Sequence, residues 1–148
     1  MLSERHYRSE VAASFEHAWK ALMDEMEHPE HFNRGILKSK ILERFNSGIL
    51  RVVSVPDADV REKITFDFET GTIESHLVGH PVLVGVITKK LSAIPSDPKR
   101  LILESHIEWE SNNQAVDSMI RRNVERFVTQ SMQAVKSTAE TRFQASLT

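Results

Sequence analysis

From Asn113 to about Phe143 the chain keeps one helical period without a break. Val116, Ile120, Val124, Phe127, Val128, Ser131, Val135 and Ala139 recur at spacings of three and four. Arg121, Arg122, Glu125, Arg126, Gln133 and Glu140 take the opposite face. The spacing predicts one amphipathic helix of about 30 residues, roughly 45 Å long at ~1.5 Å per residue. A coiled-coil partner would need a second helix of this length, and the sequence has none. The stripe also carries small and polar residues, which a coiled-coil seam disfavours. The rest of the chain must therefore cover this helix.

What precedes it reads mostly as strands. "HYRSEV" (6–11) is a first strand, with Tyr7, Ser9 and Val11 on one face. Ser14 is placed to N-cap the helix "FEHAWKALMDEM", whose Phe15, Ala18, Trp19, Leu22 and Met26 form one buried stripe. Pro29 suits the first position of a second, short helix, "PEHFNR", which Gly35 ends. Six strand-like runs follow, at about 37–45, 49–55, 60–69, 72–79, 83–94 and 100–110, separated by "NSG", "PDAD", "TG", "GHP" and "PSDPK". Short connections between successive strands favour an antiparallel sheet. The fold class is α+β: a seven-stranded antiparallel sheet curled around the long helix, with two short helices after the first strand.

Residues 1–148 are expected to form one domain, since this length supports a single core. A net charge of −2 and the lack of a basic patch argue against nucleic acid as a partner. No apolar run reaches the roughly 18 residues of a membrane span. The opening "MLSERHYRSE" lacks the apolar core of a signal peptide, so a cytoplasmic location is expected. Without cysteine there is no disulfide, thiol nucleophile or thiolate metal site.

The hairpins raise the question of Glu62. In "VREKITFDF" (60–68), Val60, Ile64, Phe66 and Phe68 alternate on one face, and Glu62 interrupts them. If "NSG" is a three-residue loop with Gly48 left-handed, Phe45 opposes Ile49, Glu43 opposes Arg51 and Ile41 opposes Val53. A four-residue "PDAD" loop then sets Val55 against Val60 and Val53 against Glu62, with Arg51 diagonal to Glu62. A cluster Glu43–Arg51–Glu62 would lie on the inner face, among Ile41, Phe45, Ile49, Val53, Ile64, Phe66 and Phe68. Buried charges need partners, and one guanidinium between two carboxylates meets most of that demand. The cluster reads either as a solvated ion-pair network at the rim of the sheet or as the polar lining of a cavity.

The next turn decides where Glu74 and His76 point. A two-residue "TG" loop pairs Phe68 with Ile73, Phe66 with Ser75 and Ile64 with Leu77, and sends Glu74 and His76 outward. It also sets Asp67 against Glu74. A three-residue loop turns Glu74 and His76 inward and exposes Ile73 and Leu77, a loss of roughly 1.5–3 kcal/mol per side chain. The first is preferred.

Other motifs are weak. "HPEH" (28–31) lacks the third ligand and the spacing of a zinc site. His76 and His80 read as structural or rim residues, and "GHP" as a turn or bulge. Lys89 and Lys90 must point to opposite faces, and either could be the inward one. Trp109 shares a face with Leu101, Leu103, Ser105 and Ile107 and reads first as core. Hydrolase and phosphate-loop signatures are missing.

The order of elements resembles the SRPBCC superfamily, the START and birch-pollen-allergen-like helix-grip fold, over essentially the whole chain. Within it, "ILER" (41–44), "LRVVSV" (50–55), "VREKITF" (60–66) and "GHP" (79–81) resemble the AtaL-like branch. The resemblance implies a sheet gripping the C-terminal helix, two short helices forming a supporting V, and a hydrophobic cavity between helix and sheet. Members of the superfamily bind lipids, sterols, hormones or polyketides; some are aromatase/cyclases or activate a chaperone. The small residues of the helix stripe (Ser131, Ala134, Val135, Thr138, Ala139) agree with a space left open.

The expected function is binding of a small hydrophobic molecule without a metal or cofactor. The expected lining is Ile41, Val53, Ile64, Phe66, Phe68, Ser75, Trp109, Phe127 and Ser131, with Glu43, Arg51 and Glu62 as polar contacts. The alternatives are a polyketide-type cyclase or dehydratase, in which a carboxylate or histidine moves protons, and a protein-binding adaptor.

Overall fold

The computed structural model describes residues 2–56, 58–81 and 83–148, without the side chains of Val124 and Glu125. Val124 of the expected stripe and Asp57 of the "PDAD" turn thus lie outside the described residues. The elements are β1 (Leu2–Val11), α1 (Phe15–Glu27), a 3-10 turn (Pro29–His31), β2 (Lys38–Phe45), β3 (Gly48–Val55), β4 (Ala58–Asp67), β5 (Thr72–Val78), β6 (Leu83–Ile94), β7 (Asp97–Ser111) and α2 (Gln114–Ser146). All seven strands pair antiparallel, in the order β1-β7-β6-β5-β4-β3-β2. The α+β helix-grip architecture expected from the sequence is the one observed. The second short helix is only the 3-10 turn.

Local chemistry sets the helix ends. The Ser14 hydroxyl accepts from the His17 N–H at 3.2 Å, and the Asn113 side chain accepts from the N–H groups of Ala115 and Val116. The apolar stripe of α1 is buried as read: Ala18, Trp19, Leu22 and Met26 are all in the core.

The long helix divides in two. Val128, Met132, Val135 and Ala139 are buried, whereas Met119 is exposed and Phe127 is 36% exposed. The small residues of its stripe serve close packing more than open space. Val135 and Ala139 belong to the same core as Ala18 and Ala21 of α1, and only Ser131 of that set faces the cavity described below. Short side chains let the two helix backbones approach. Polar clips hold the closely packed half: Glu140 accepts from the Ala12 N–H at 2.8 Å, Lys136 donates to the Glu10 carbonyl, and Arg142 pairs with Asp24.

Three hairpin registers differ from the sequence reading. Between β2 and β3 the pairs are Phe45 with Gly48, Arg44 with Ile49, Glu43 with Leu50 and Ile41 with Arg51, with a bulge at Leu42. Gly48 is not at positive φ and closes no left-handed loop. It is needed because a Cβ there would lie 2.2 Å from the Ile64 carbonyl oxygen, so β3 and β4 run too close for any side chain. The tight turn and the bulge together turn Phe45 and Glu43 to the surface. Phe45 instead lies under the Lys63 ammonium, 5.4 Å from its ring centre.

The β3–β4 and β4–β5 hairpins each slip by two residues, which preserves the faces. Arg51 sits directly opposite Glu62, not diagonal to it, and Val53 opposes Val60. Phe66 opposes Ile73, Ile64 opposes Ser75 and Glu62 opposes Leu77. The inward and outward sets are those of the preferred reading, but the slip removes its one unfavourable contact. Glu74 now lies against Thr65 and not against Asp67. Gly71, at φ 68°, supplies the left-handed residue of the longer turn.

Candidate functional site

A cavity of about 260 Å³ lies between the inner face of the sheet, α1 and the first half of α2. Val53, Ile64, Ile73, Ile87, Ile107 and Trp109 wall it from the sheet, Leu22 and Met26 from α1, and Ile120, Phe127 and Val128 from α2. Alternation on β3 to β7 aims every second side chain inward, and the first half of α2 bridges over them.

Of the residues expected to line it, Arg51, Val53, Glu62, Ile64, Ser75, Trp109, Phe127 and Ser131 do. Ile41, Glu43, Phe66 and Phe68 do not. Glu43 is exposed, because the Leu42 bulge breaks the parity on which the Glu43–Arg51–Glu62 cluster rested. Ile41 and Phe66 are half-buried and pack against the core outside the cavity. Phe68 falls in the turn after β4, 51% exposed, where its ring meets Phe15 and Trp19 edge-on at 5.3 and 5.7 Å.

The polar wall holds two ion pairs. Arg51 Nη2 reaches the two oxygens of Glu62 at 3.4 and 3.3 Å. Its Nη1 donates to the main-chain oxygens of Met26 at 2.7 Å and Glu25 at 3.3 Å. These carbonyls belong to the last turn of α1, which has no basic residue of its own. Arg51 thus caps a helix C-terminus from a neighbouring strand, meeting orphan carbonyls and the negative end of the helix dipole. The Ser75 hydroxyl donates to Glu62 Oε2 at 2.6 Å. Beside this set, the Lys89 ammonium pairs with the Glu25 carboxylate. Glu25 and Arg51 are buried, at 5% and 6% exposure.

Glu25 and Lys89 were not among the expected site residues, yet both leave a trace in the sequence. Glu25 follows Leu22 by three and Ala18 by seven, inside the buried stripe of α1. Lys89 alternates with Ile87 and the buried Leu91, which selects it over Lys90 as the inward lysine. Their pairing joins α1 to β6 across 64 residues of sequence and could not be read locally.

Two further contacts shape the walls. Asn33 donates from Nδ2 to the Phe127 carbonyl and to Ser131 Oγ, both at 3.0 Å, pinning the segment after the 3-10 turn to α2. The Trp109 indole N–H donates to Asp117 at 3.0 Å. This bond, opposed by partial burial and aided by Arg121, holds the Asp117 carboxyl below the usual carboxylate range.

The histidines stay outside. His76 is exposed, on the outward face expected of it, and bonds Glu74 at 2.8 Å. His28 and His31 stack on each other at 5.3 Å. Among the described residues, the one group arranged for metal ligation is Glu4, His106 and Glu108, whose ligand atoms lie within 4.8 Å of one another. Its side chains lie on the outer face of β1 and β7, opposite the face that Ile107 and Trp109 turn to the cavity.

No family model matches the chain, and no curated protein matches it in sequence. Solved structures do. The ZhuI aromatase/cyclase from Streptomyces sp. R1128 is similar with a TM-score of 0.84 at 17% identity, over 96% of both chains. The di-domain aromatase/cyclase StfQ of the steffimycin biosynthetic pathway gives 0.79 at 14% identity, over 96% of this chain and 52% of its own. Ara h 8.0201 gives 0.70 at 17% identity, over 98% of this chain and 99% of its own. The chain shares the helix-grip fold of these structures. No helix among the described residues is long and apolar enough to cross a membrane.

Proposed function

We propose that this protein binds a small hydrophobic molecule in the cavity between sheet and C-terminal helix. The observation that carries the proposal is the wall itself: aliphatic and aromatic side chains from the sheet and both helices, with a few directed polar groups among them. Small-molecule sites are built this way, though most are somewhat larger, at about 300–1,000 Å³. Similarity in fold to aromatase/cyclases supports an apolar guest without fixing what is done to it. Trp109 lines the cavity and gives a native reporter. Titration with the neutral probe N-phenyl-1-naphthylamine should quench tryptophan emission saturably and raise probe emission, and native mass spectrometry should find a co-purified small molecule. No saturable binding would end this reading.

A second reading, polyketide-type cyclisation or dehydration, rests on the Ser75–Glu62 and Lys89–Glu25 contacts, which place proton-carrying groups at the cavity wall. The outward histidine keeps it second. Under it, Glu62→Gln would lose turnover of a poly-β-ketone while still binding it.

A further inference from the structure

We infer that the cavity selects neutral, hydroxyl-bearing ligands over anionic ones such as carboxylates, because its polar wall is already balanced in charge. This rests on the binding reading above. Arg51 and Lys89 supply two positive charges and Glu25 and Glu62 two negative ones, and each cation has its own carboxylate; Glu108, the fifth charged residue along the lining, turns its carboxylate outward to His106. Among the described residues that line the cavity, no cation is left over to receive an acid. A ligand carboxylate entering this wall would have to take Lys89 from Glu25 or Arg51 from Glu62, and would leave one carboxylate uncompensated beside apolar walls. A ligand amine would leave the opposite excess.

A hydroxyl group meets no such obstacle. It donates and accepts at once, and the network has room for both. The Ser75 oxygen, whose proton goes to Glu62, can still accept, and Glu62 Oε1, reached among the described residues by Arg51 at 3.4 Å, can accept a further bond on the same wall. Lys89 also keeps donors beyond the one it gives Glu25. Across the cavity, the Ser131 oxygen accepts from Asn33, which leaves its O–H to donate. A guest with a hydroxyl at one end and a carbonyl at the other would be met at both.

The test compares three guests on one ring system by displacement of bound N-phenyl-1-naphthylamine at neutral pH: naphthalene, 2-naphthol and 2-naphthoate. 2-Naphthol should bind at least tenfold more tightly than 2-naphthoate and more tightly than naphthalene. A smaller preference, or naphthoate ahead, overturns the inference. Any apolar cavity disfavours an anion to some degree, so the variant Glu25→Gln decides whether the network is responsible. It removes one negative charge with little change of shape, and should narrow the naphthol-to-naphthoate ratio at least threefold. Lys89→Met should widen it. A ratio unchanged in both variants overturns the assignment, and circular dichroism with retained probe binding shows that each has folded. If the probe binds but the ratios fail, only this inference falls; if the wild type binds no probe, the binding reading falls and takes the inference with it.

Discussion

Arg51 and Glu62 face each other across β3 and β4, while Arg100 and Glu10 meet diagonally across β7 and β1. The outer pair is closer, at 2.6 Å against 3.3 Å, but its side chains are 50% and 54% exposed, whereas those of Arg51 and Glu62 are 8% and 16% exposed. Water screens the outer pair and hydrates each partner when the other is absent, so such pairs contribute only ~0.2–1 kcal/mol. The inner pair has lost that hydration, and removal of one partner leaves a buried charge alone. Contact distance therefore misranks the two. Burial also explains why the inner charges are hard to account for by stability. Apolar residues of similar size would often hold the sheet as well or better, so what these charges face, the cavity, is the better reason for their presence.

The largest expected effect follows directly. Arg51→Ala should cost about 3–5 kcal/mol in urea denaturation, since it strands Glu62 and uncaps the carbonyls of Glu25 and Met26. Lys40→Ala, at an exposed strand position, should stay within about 0.5 kcal/mol. Equal, small losses at both sites would dissolve the distinction between inner and outer charge.

A cycle on the second inner pair sharpens it. Glu25→Leu and Lys89→Met should each destabilise, and the double variant should recover much of the loss, with a coupling of about 1.5–3 kcal/mol. Strict additivity would mean that the two groups do not depend on each other.

The sequence exposed the sheet, both helices and the direction of most side chains, because alternation and helical period are local signals. It also marked Glu62 and Arg51 as partners, since one interrupts an apolar row and the other lies on the adjoining strand. Register was less legible. Two hairpins slipped by two residues, a change that alternation cannot detect because it returns every side chain to the same face. The β2–β3 hairpin failed differently: the Leu42 bulge resets parity, and nothing in "KSKILERF" announces it. Glu43 went outward for that reason. Phe68 was lost to the cavity when the turn lengthened and gave it to Phe15 and Trp19. Glu25 entered the site from a helix, and only tertiary packing brings it to Lys89.

Between the two regimes stands Glu140, with 29% of its side chain exposed, held by Lys136 at 3.0 Å and by the Ala12 N–H. Burial alone would raise its pKa, but these two bonds outweigh it and leave the group below its ordinary value of 4.5. A carboxyl with a lowered folded pKa stabilises the protein above its unfolded pKa, and the benefit disappears as pH falls through the folded one. Glu140→Gln should therefore cost about 1 kcal/mol at neutral pH. Chemical denaturation of both proteins from neutral pH downward should show the gap closing below about pH 4.5. A gap that persists in strong acid would mean that shape rather than charge is at stake.

The smallest effect belongs to the outer pair, and salt is the way to expose it. Arg100 and Glu10 are each about half in solvent, so their attraction acts through water and the ions in it. Raising NaCl from about 0.1 M to about 1 M shortens the screening length from ~10 Å to ~3 Å. A double-mutant cycle with Glu10→Gln and Arg100→Ala should give a coupling of no more than about 0.5 kcal/mol at the lower salt, falling close to zero at the higher. The Arg51–Glu62 coupling, measured in the same way with Arg51→Met and Glu62→Leu, should hardly change, because ions do not enter the space between those strands. If the outer coupling instead survives high salt at about 1 kcal/mol or more, the short contact matters in its own right. Burial would then no longer be what separates the two pairs.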